Sequence, residues 1–445
     1  MKTKYELNIY SVEEFQKLER HLEKMTAKGW MLKSIGQFFV KYEKQEPKKV
    51  HFSVVFFPKT EVFAPEPSED LLMLREFCEK TGWKLAGDIG QMQIFCNEAT
   101  NPIPIETEAW IQVKNIHQTA KKTLLSSNGL FLGISILNIY TAVNKFLEDP
   151  LAWLSMGTYH GSFVFWIAVG LGVLVESLLY FVWYWRAKKK AEEESVLLQA
   201  HSRIPLRILY WGAATFGMIY ELTALIDFTS PKMGIIALIL AVVMFGVIFG
   251  TSRILKFEKV SAQTNMVITT IASLTLFCFM MIGLTSGIIN EDIVKPQTKQ
   301  DILLELDEIT DLEKEVRLDC TESNSIFLSR TEVLQYEAIE MKKRHTLNYW
   351  LYKIKTPFVY DLCKEKLLGG LGPRYRGSVQ IEDYGYERID MPIWKANEVY
   401  CCYEEGEPTE LYALFYDNMM IQILVGWDAT EEEIIKIRDV LVEVE

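Results

Sequence analysis

Histidine is scarce in this chain: six occur in 445 residues, at positions 21, 51, 117, 160, 201 and 345. None has a second ligand-type side chain three or four positions away, so no histidine forms a metal-binding pair along a helix. The seven cysteines include no C-x-x-C, which removes the usual zinc and redox signatures. Also missing are H-E-x-x-H, a P-loop, G-x-S-x-G and a dinucleotide-binding glycine fingerprint. Without these constellations the chain is expected to be neither an enzyme nor a holder of cofactor or metal. Positive charge is short as well. The net charge of −12 argues against nucleic acid as a direct ligand. The opening Met1-Lys2-Thr3-Lys4-Tyr5-Glu6 leads into no apolar signal core. The N-terminus is therefore expected in the cytoplasm.

What the chain does have is apolar sequence: 49% of residues are hydrophobic, and they concentrate in the middle third. Five stretches approach the length of about 20 residues that a helix needs to cross a bilayer. They are 124–143, 162–185, 206–226, 233–250 and 266–289. The sequence thus predicts a multi-pass α-helical protein of the plasma membrane. A cytoplasmic domain would occupy 1–101, a juxtamembrane linker 102–123, a five-helix region 124–289, and an extracellular α+β domain 290–445. Basic residues set the orientation. Lys114, Lys121 and Lys122 precede the first stretch, and Arg186, Lys188, Lys189, Lys190, Arg203 and Arg207 follow the second. The intervening loop holds only Lys145. The N-terminus is then inside and, after five crossings, the C-terminus outside.

Two carboxylates fall within these stretches, Glu176 and Glu221. An acid at membrane depth is costly and faces protein or water. It either lines a cation path or packs against polar neighbours, and packing is the expectation here. Gly129/Gly133, Gly246/Gly250 and Gly283/Gly287 have the small-xxx-small spacing that permits close helix approach.

The first hundred residues repeat. Ser11 and Glu14 form a capping box, Val12, Phe15, Leu18, Leu22 and Met25 recur at helical spacing, and Gly29 stops the helix. Ser68, Leu71, Leu74, Cys78 and Gly82 replay that pattern. After each helix comes Gly-Trp-x-Leu (Gly29-Trp30-Met31-Leu32, Gly82-Trp83-Lys84-Leu85), then a Gly-Gln step at Gly36-Gln37 and Gly90-Gln91. Two βαβ halves in series predict a ferredoxin-like βαββαβ domain. Trp30 and Trp83 are expected as matched core residues beneath the helix ends, with a recognition surface as the alternative. In the linker, Trp110, Val113 and His117 share one face of a short helix.

The run Leu22 to Leu32, with Phe38-Phe39-Val40-Lys41-Tyr42 and His51-Phe52-Ser53-Val54-Val55, resembles an uncharacterised bacterial membrane-protein family. Its N-terminal domain of unknown function carries Met-x-x-x-Gly-Trp-x-Leu and is common in Gram-positive bacteria. The resemblance implies genes lying beside PadR-type transcriptional regulators. It supplies no catalytic residue. The expected partners are the lipid bilayer and a cytoplasmic regulatory protein, either PadR-type or a product of the same operon.

The final third reads as mixed α and β. Lys299 to Leu318 is acidic with helical spacing, and Asp417-Asn418 sits between two β-rich runs as a hairpin signal. Cys320, Cys363, Cys401 and Cys402 lie here, and free thiols are expected slightly ahead of a disulfide. The functional expectation is a membrane-bound sensory or regulatory protein that links an outer domain to a cytoplasmic partner-binding head. The alternative is a transporter, or an accessory subunit of one, using Glu176 and Glu221.

Overall fold

In the N-terminal region, capped helices alternate with short strands that pair antiparallel. The computed structural model describes residues 2–36, 39–60, 63–228, 231–289, 303–310, 316–339, 342–369, 374–376, 379–381 and 384–442. The chain divides into two units. The first comprises Met1–Leu137, Trp166–Ala214 and Ala237–Leu284, and the second Asn138–Phe165, Thr215–Ile236 and Thr285–Glu445.

The head of the first unit is a tandem of two βαββ modules. Strand β1 (Thr3–Leu7), helix α1 (Phe15–Ala27), β2 (Trp30–Ile35) and β3 (Phe39–Lys44) form the first. Strand β4 (His51–Phe56), α2 (Glu69–Lys80), β5 (Lys84–Ile89) and β6 (Met92–Asn97) form the second. Each module has its own antiparallel sheet, in the orders β1-β3-β2 and β4-β6-β5. The correspondence is detailed. Gly29 and Gly82 both hold positive φ at the helix ends, +79° and +86°, where a Cβ would be strained. A register shift interrupts β2 between Leu32 and Ser34, and β5 between Leu85 and Gly87. The ferredoxin-like expectation is corrected by this pairing. That fold needs strands of one half inserted beside strands of the other. Here the run at 51–56 opens the second module and pairs with β6, so each module closes its own sheet. Gln37 and Phe38 lie outside the described residues.

Helix α3 (Ala109–Lys122) continues the chain into α4 (Leu124–Glu148). After the short α5 (Pro150–Ser155) comes α6 (Gly157–Glu194), then α7 (Ile204–Phe228), α8 (Pro231–Phe257) and α9 (Ala262–Ile289). Among the described residues, two helices are long and apolar enough to cross a membrane: Ala109–Glu148 and Gly157–Glu194. Their most apolar stretches are only 6% and 28% buried by protein, whereas the core helix of a soluble domain is mostly covered. The expectation of a five-span helical protein is corrected on two counts. Among the described residues, two candidate spans stand where five were predicted, and there are four β-sheets, one of seven strands. The length of an apolar run measures how far a helix can extend. It does not distinguish a bilayer crossing from a helix that meets protein.

The second unit is built on an antiparallel sheet ordered β12-β13-β14-β15-β9-β8-β7. Its strands are β7 (Val316–Asn324), β8 (Leu328–Ile339), β9 (Lys342–Ile354), β12 (Tyr384–Ile389), β13 (Glu398–Glu404), β14 (Glu407–Phe415) and β15 (Met419–Val425). A two-stranded ribbon pairs β10 (Arg374–Arg376) with β11 (Val379–Ile381). Alternation along the strands creates two faces. Tyr349, Leu351, Ile421 and Ile423 pack with Ile437 and Leu441 of α11 (Glu431–Val442). Tyr352, Met420, Ala413 and Phe415 face Cys363 and Leu367 of α10 (Tyr360–Leu368), together with Leu151 and Leu154 of α5. The β14–β15 hairpin turns at Asp417-Asn418, closed by the Tyr416 N–H donating to Met419 O at 2.9 Å. The acidic segment expected as helical, Lys299 to Leu318, lies partly outside the described residues, and its end from Val316 is strand. No disulfide joins Cys320, Cys363, Cys401 or Cys402 among the described residues.

Candidate functional site

At the base of the head, α1 begins against the start of α7 and the middle of α6. The capping box of Ser11 and Glu14 forms, with the Ser11 N–H donating to Glu14 Oε2 at 3.2 Å. Glu14 therefore faces inward with its side chain fully covered, as does its neighbour Glu13. Two arginines meet them. Arg203 Nη1 lies 2.8 Å from Glu13 Oε1, and the Arg203 backbone N–H donates to Glu14 Oε1 at 3.1 Å. Arg207 Nη1 donates to Glu14 Oε2 at 2.8 Å and to Ile9 O at 2.6 Å. Its remaining nitrogens bond Ser11 Oγ and Glu176 Oε1. The Tyr210 hydroxyl donates to Glu176 Oε2 at 3.1 Å.

Three carboxylates thus share two guanidiniums in a nearly dry setting. Such charges are tolerable only when paired and hydrogen-bonded. The two head carboxyls differ. Burial raises Glu13 above the usual carboxylate range despite Arg203. Burial also pulls Glu14 upward, but Arg207 and the hydrogen bonds outweigh it and hold Glu14 low. The arrangement can act as a clamp whose strength depends on charge.

Hydrophobic packing follows the same route. Leu22 of α1, Phe56 of β4, Val113 and Ile116 of α3, and Tyr180, Trp183 and Ala187 of α6 belong to one core. His117 of α3 stacks on Tyr184 of α6 with ring centroids 3.7 Å apart. Its Nδ1 lies 3.0 Å from the Tyr180 hydroxyl. Both candidate spans therefore extend into the core of the head. Beyond it, Lys188, Lys189 and Lys190 lie 3.7–3.9 Å from Glu192, Glu193 and Glu194 in a solvated end of α6.

The residues singled out from sequence have separate places. Glu176 belongs to the clamp, bonded to Arg207 and Tyr210. Glu221 marks a close helix crossing instead: a Cβ on Gly161 would stand 2.5 Å from the Glu221 backbone nitrogen. Gly217 is equally tight against Phe165 and Gly161. By contrast, a Cβ on Gly129, Gly133, Gly246 or Gly250 would meet no atom of another element within 4 Å among the described residues. The side chains at 283 and 287 lie outside those described. Trp83 is buried with Val55, Cys78 and Phe95, and its indole N–H donates to Ile103 O at 2.8 Å. Trp30 is half-buried at the edge of the larger core, with the Lys44 ammonium 4.9 Å from its ring centre. The two tryptophans are equivalent in the repeat and unequal in burial.

Sequence reading missed Glu13, Glu14, Arg203 and Arg207 as a group. Glu14 stood out as a helix cap and the arginines as topology markers. The available signal was the four-residue spacing of Arg203 and Arg207 at a helix start. In the second unit a cavity of about 770 Å³ opens over the sheet, lined by Arg330, Trp350, Tyr352 and Gln422. Among the described residues, no group of three His, Cys, Asp or Glu side chains is placed to hold a metal ion.

Residues 14–127 match a family described as Protein of unknown function (DUF2812), so the head and the start of α4 carry that domain. No curated protein and no solved structure matches the chain.

Proposed function

We propose that the protein is a membrane-anchored regulator in which the candidate spans transmit a signal to the head, which binds a cytoplasmic protein. The observation that carries this reading is the shared core of the head, α3 and the end of α6. At about 1.5 Å per residue, a helix of 38 residues is far longer than a bilayer core of about 30 Å. A continuous helix of that kind moves at both ends together. The 770 Å³ cavity of the second unit supports an input domain there. The lysines before α4 and at the end of α6, against the lone Lys145 between the candidate spans, favour a cytoplasmic head at the plasma membrane. The partner class is a PadR-type regulator or a product of the same operon. A transport role for Glu176 is disfavoured because Arg207 and Tyr210 already occupy its oxygens.

The test is an affinity pull-down from native membranes with wild type and with the clamp variant Arg207→Gln. A soluble regulator that co-purifies with wild type and is lost or strengthened in the variant supports the reading. Recovery of no soluble protein by either form sinks it.

A further inference from the structure

We propose that the head contains a binding site for a small uncharged molecule, mostly apolar and carrying a hydrogen-bond donor. A cavity of about 310 Å³ lies where the start of α1, the β5–β6 turn and α3 meet. That volume is at the lower end for small-molecule sites. Its walls are largely apolar, with Phe15, Leu18, Phe56 and Met92 contributing, and no charged side chain lines it. A charged ligand would therefore be desolvated there without a counter-ion, which excludes one.

Among the described residues, three polar atoms in the wall lack partners: Asn8 Oδ1, Gln91 Oε1 and Thr119 Oγ1. Gln91 is 4% exposed and Thr119 is 2% exposed, yet Gln91 Oε1 and Thr119 Oγ1 make no hydrogen bond. Buried polar atoms are nearly always satisfied, so a pair of them facing one cavity calls for a group that satisfies both. Gln91 Oε1 can only accept, and the Thr119 hydroxyl can accept or donate, so a group that satisfies both carries an N–H or O–H donor. Gln91 is held for this role by its backbone. Gly90 takes φ +55° in the turn, and Gln91 O accepts from the Phe57 N–H at 2.7 Å. The cavity also reaches the clamp. Ser11 is part of its wall, and the Ser11 hydroxyl is bonded by Arg207. Resting on the coupling reading above, an occupant would bear on the segment that holds Arg207 and so bias the link between head and helices.

The test uses the full chain in lipid nanodiscs, with indole as probe and 1-methylindole as a near-isostere that lacks the N–H. Saturable indole binding that raises the melting temperature is expected, with 1-methylindole weaker by roughly tenfold or more, as loss of a hydrogen bond to a buried acceptor implies. Thr119→Val and Gln91→Leu should each weaken indole binding by a similar factor. Their ligand-free melting temperatures should be no lower than that of wild type, since each removes an unpaired polar atom. Equal affinity for the two probes, wild-type indole binding by both variants, or no saturable binding overturns the site. The coupling is read separately, from partner recovery in the pull-down with and without indole. Unchanged recovery on saturation overturns the coupling and leaves the site standing.

Discussion

Arg207 donates to Glu14 at 2.8 Å although 193 positions separate them in the chain. The same guanidinium bonds Glu176, so one cation neutralises a head carboxylate and a helix carboxylate together. Removing it strands two buried charges, whereas removing one acid leaves the other paired.

The clamp should therefore respond asymmetrically. Arg207→Gln should destabilise by about 3–5 kcal/mol, as loss of one partner of a buried ion pair does. Glu14→Gln, which keeps its shape and Glu176 as counter-ion, should cost less. A double-mutant cycle on thermal unfolding should show strong coupling between the two positions. Additive effects would mean the pair contributes nothing specific.

Glu19 of α1 supplies a pH dependence. Its carboxylate accepts from the Val54 N–H at 2.7 Å on the outer edge of β4. Burial pushes it up from 4.5 to about 7, an increase that this hydrogen bond only partly offsets. The folded state then holds the proton more tightly than the unfolded chain. Glu19 stabilises the head fully below about pH 4.5, and that contribution is lost as pH rises toward 7. Its size is on the order of 3 kcal/mol. Glu19→Gln should flatten the fall in melting temperature across this window. An unchanged slope would remove Glu19 as its source.

The repeat tryptophans should behave unequally. Trp83→Ala empties a buried site and breaks the bond to Ile103 O, at a cost of about 3–5 kcal/mol. Trp30→Ala loses a half-buried ring and an exposed cation–π contact of about 0.5–1 kcal/mol, and should cost clearly less. Melting curves of the two variants compare them directly. Equal losses would contradict the difference in burial.

Glycine substitutions separate true helix crossings from chance spacing. Gly161→Ala and Gly217→Ala each place a Cβ within 3.0 Å of a neighbouring backbone, and should lower thermal stability or abundance. Gly129→Ala and Gly133→Ala meet open space and should be silent or slightly stabilising, since alanine favours a helix by about 1 kcal/mol. The reverse ranking would show that the small-xxx-small pair at 129 and 133 is the working contact.

Features that depend on neighbours along the chain are legible in the residues alone. The Ser11 and Ser68 helix starts, the Gly29 and Gly82 stops, the Gly-Trp-x-Leu repeat and the Asp417-Asn418 turn are short-range features, and their residues state them directly. Capping, positive φ and strand alternation each need only a few adjacent positions. Tertiary structure alone decided the rest. It closed each head module as its own three-stranded sheet, because strand partners are chosen by long-range pairing that local pattern leaves open. Among the described residues it left two candidate spans where five apolar runs stand in the sequence. It also joined Glu14, Glu176 and Arg207, since burial brings distant charges together and makes their pairing obligatory, whereas in sequence they read as a cap, a membrane acid and a topology marker.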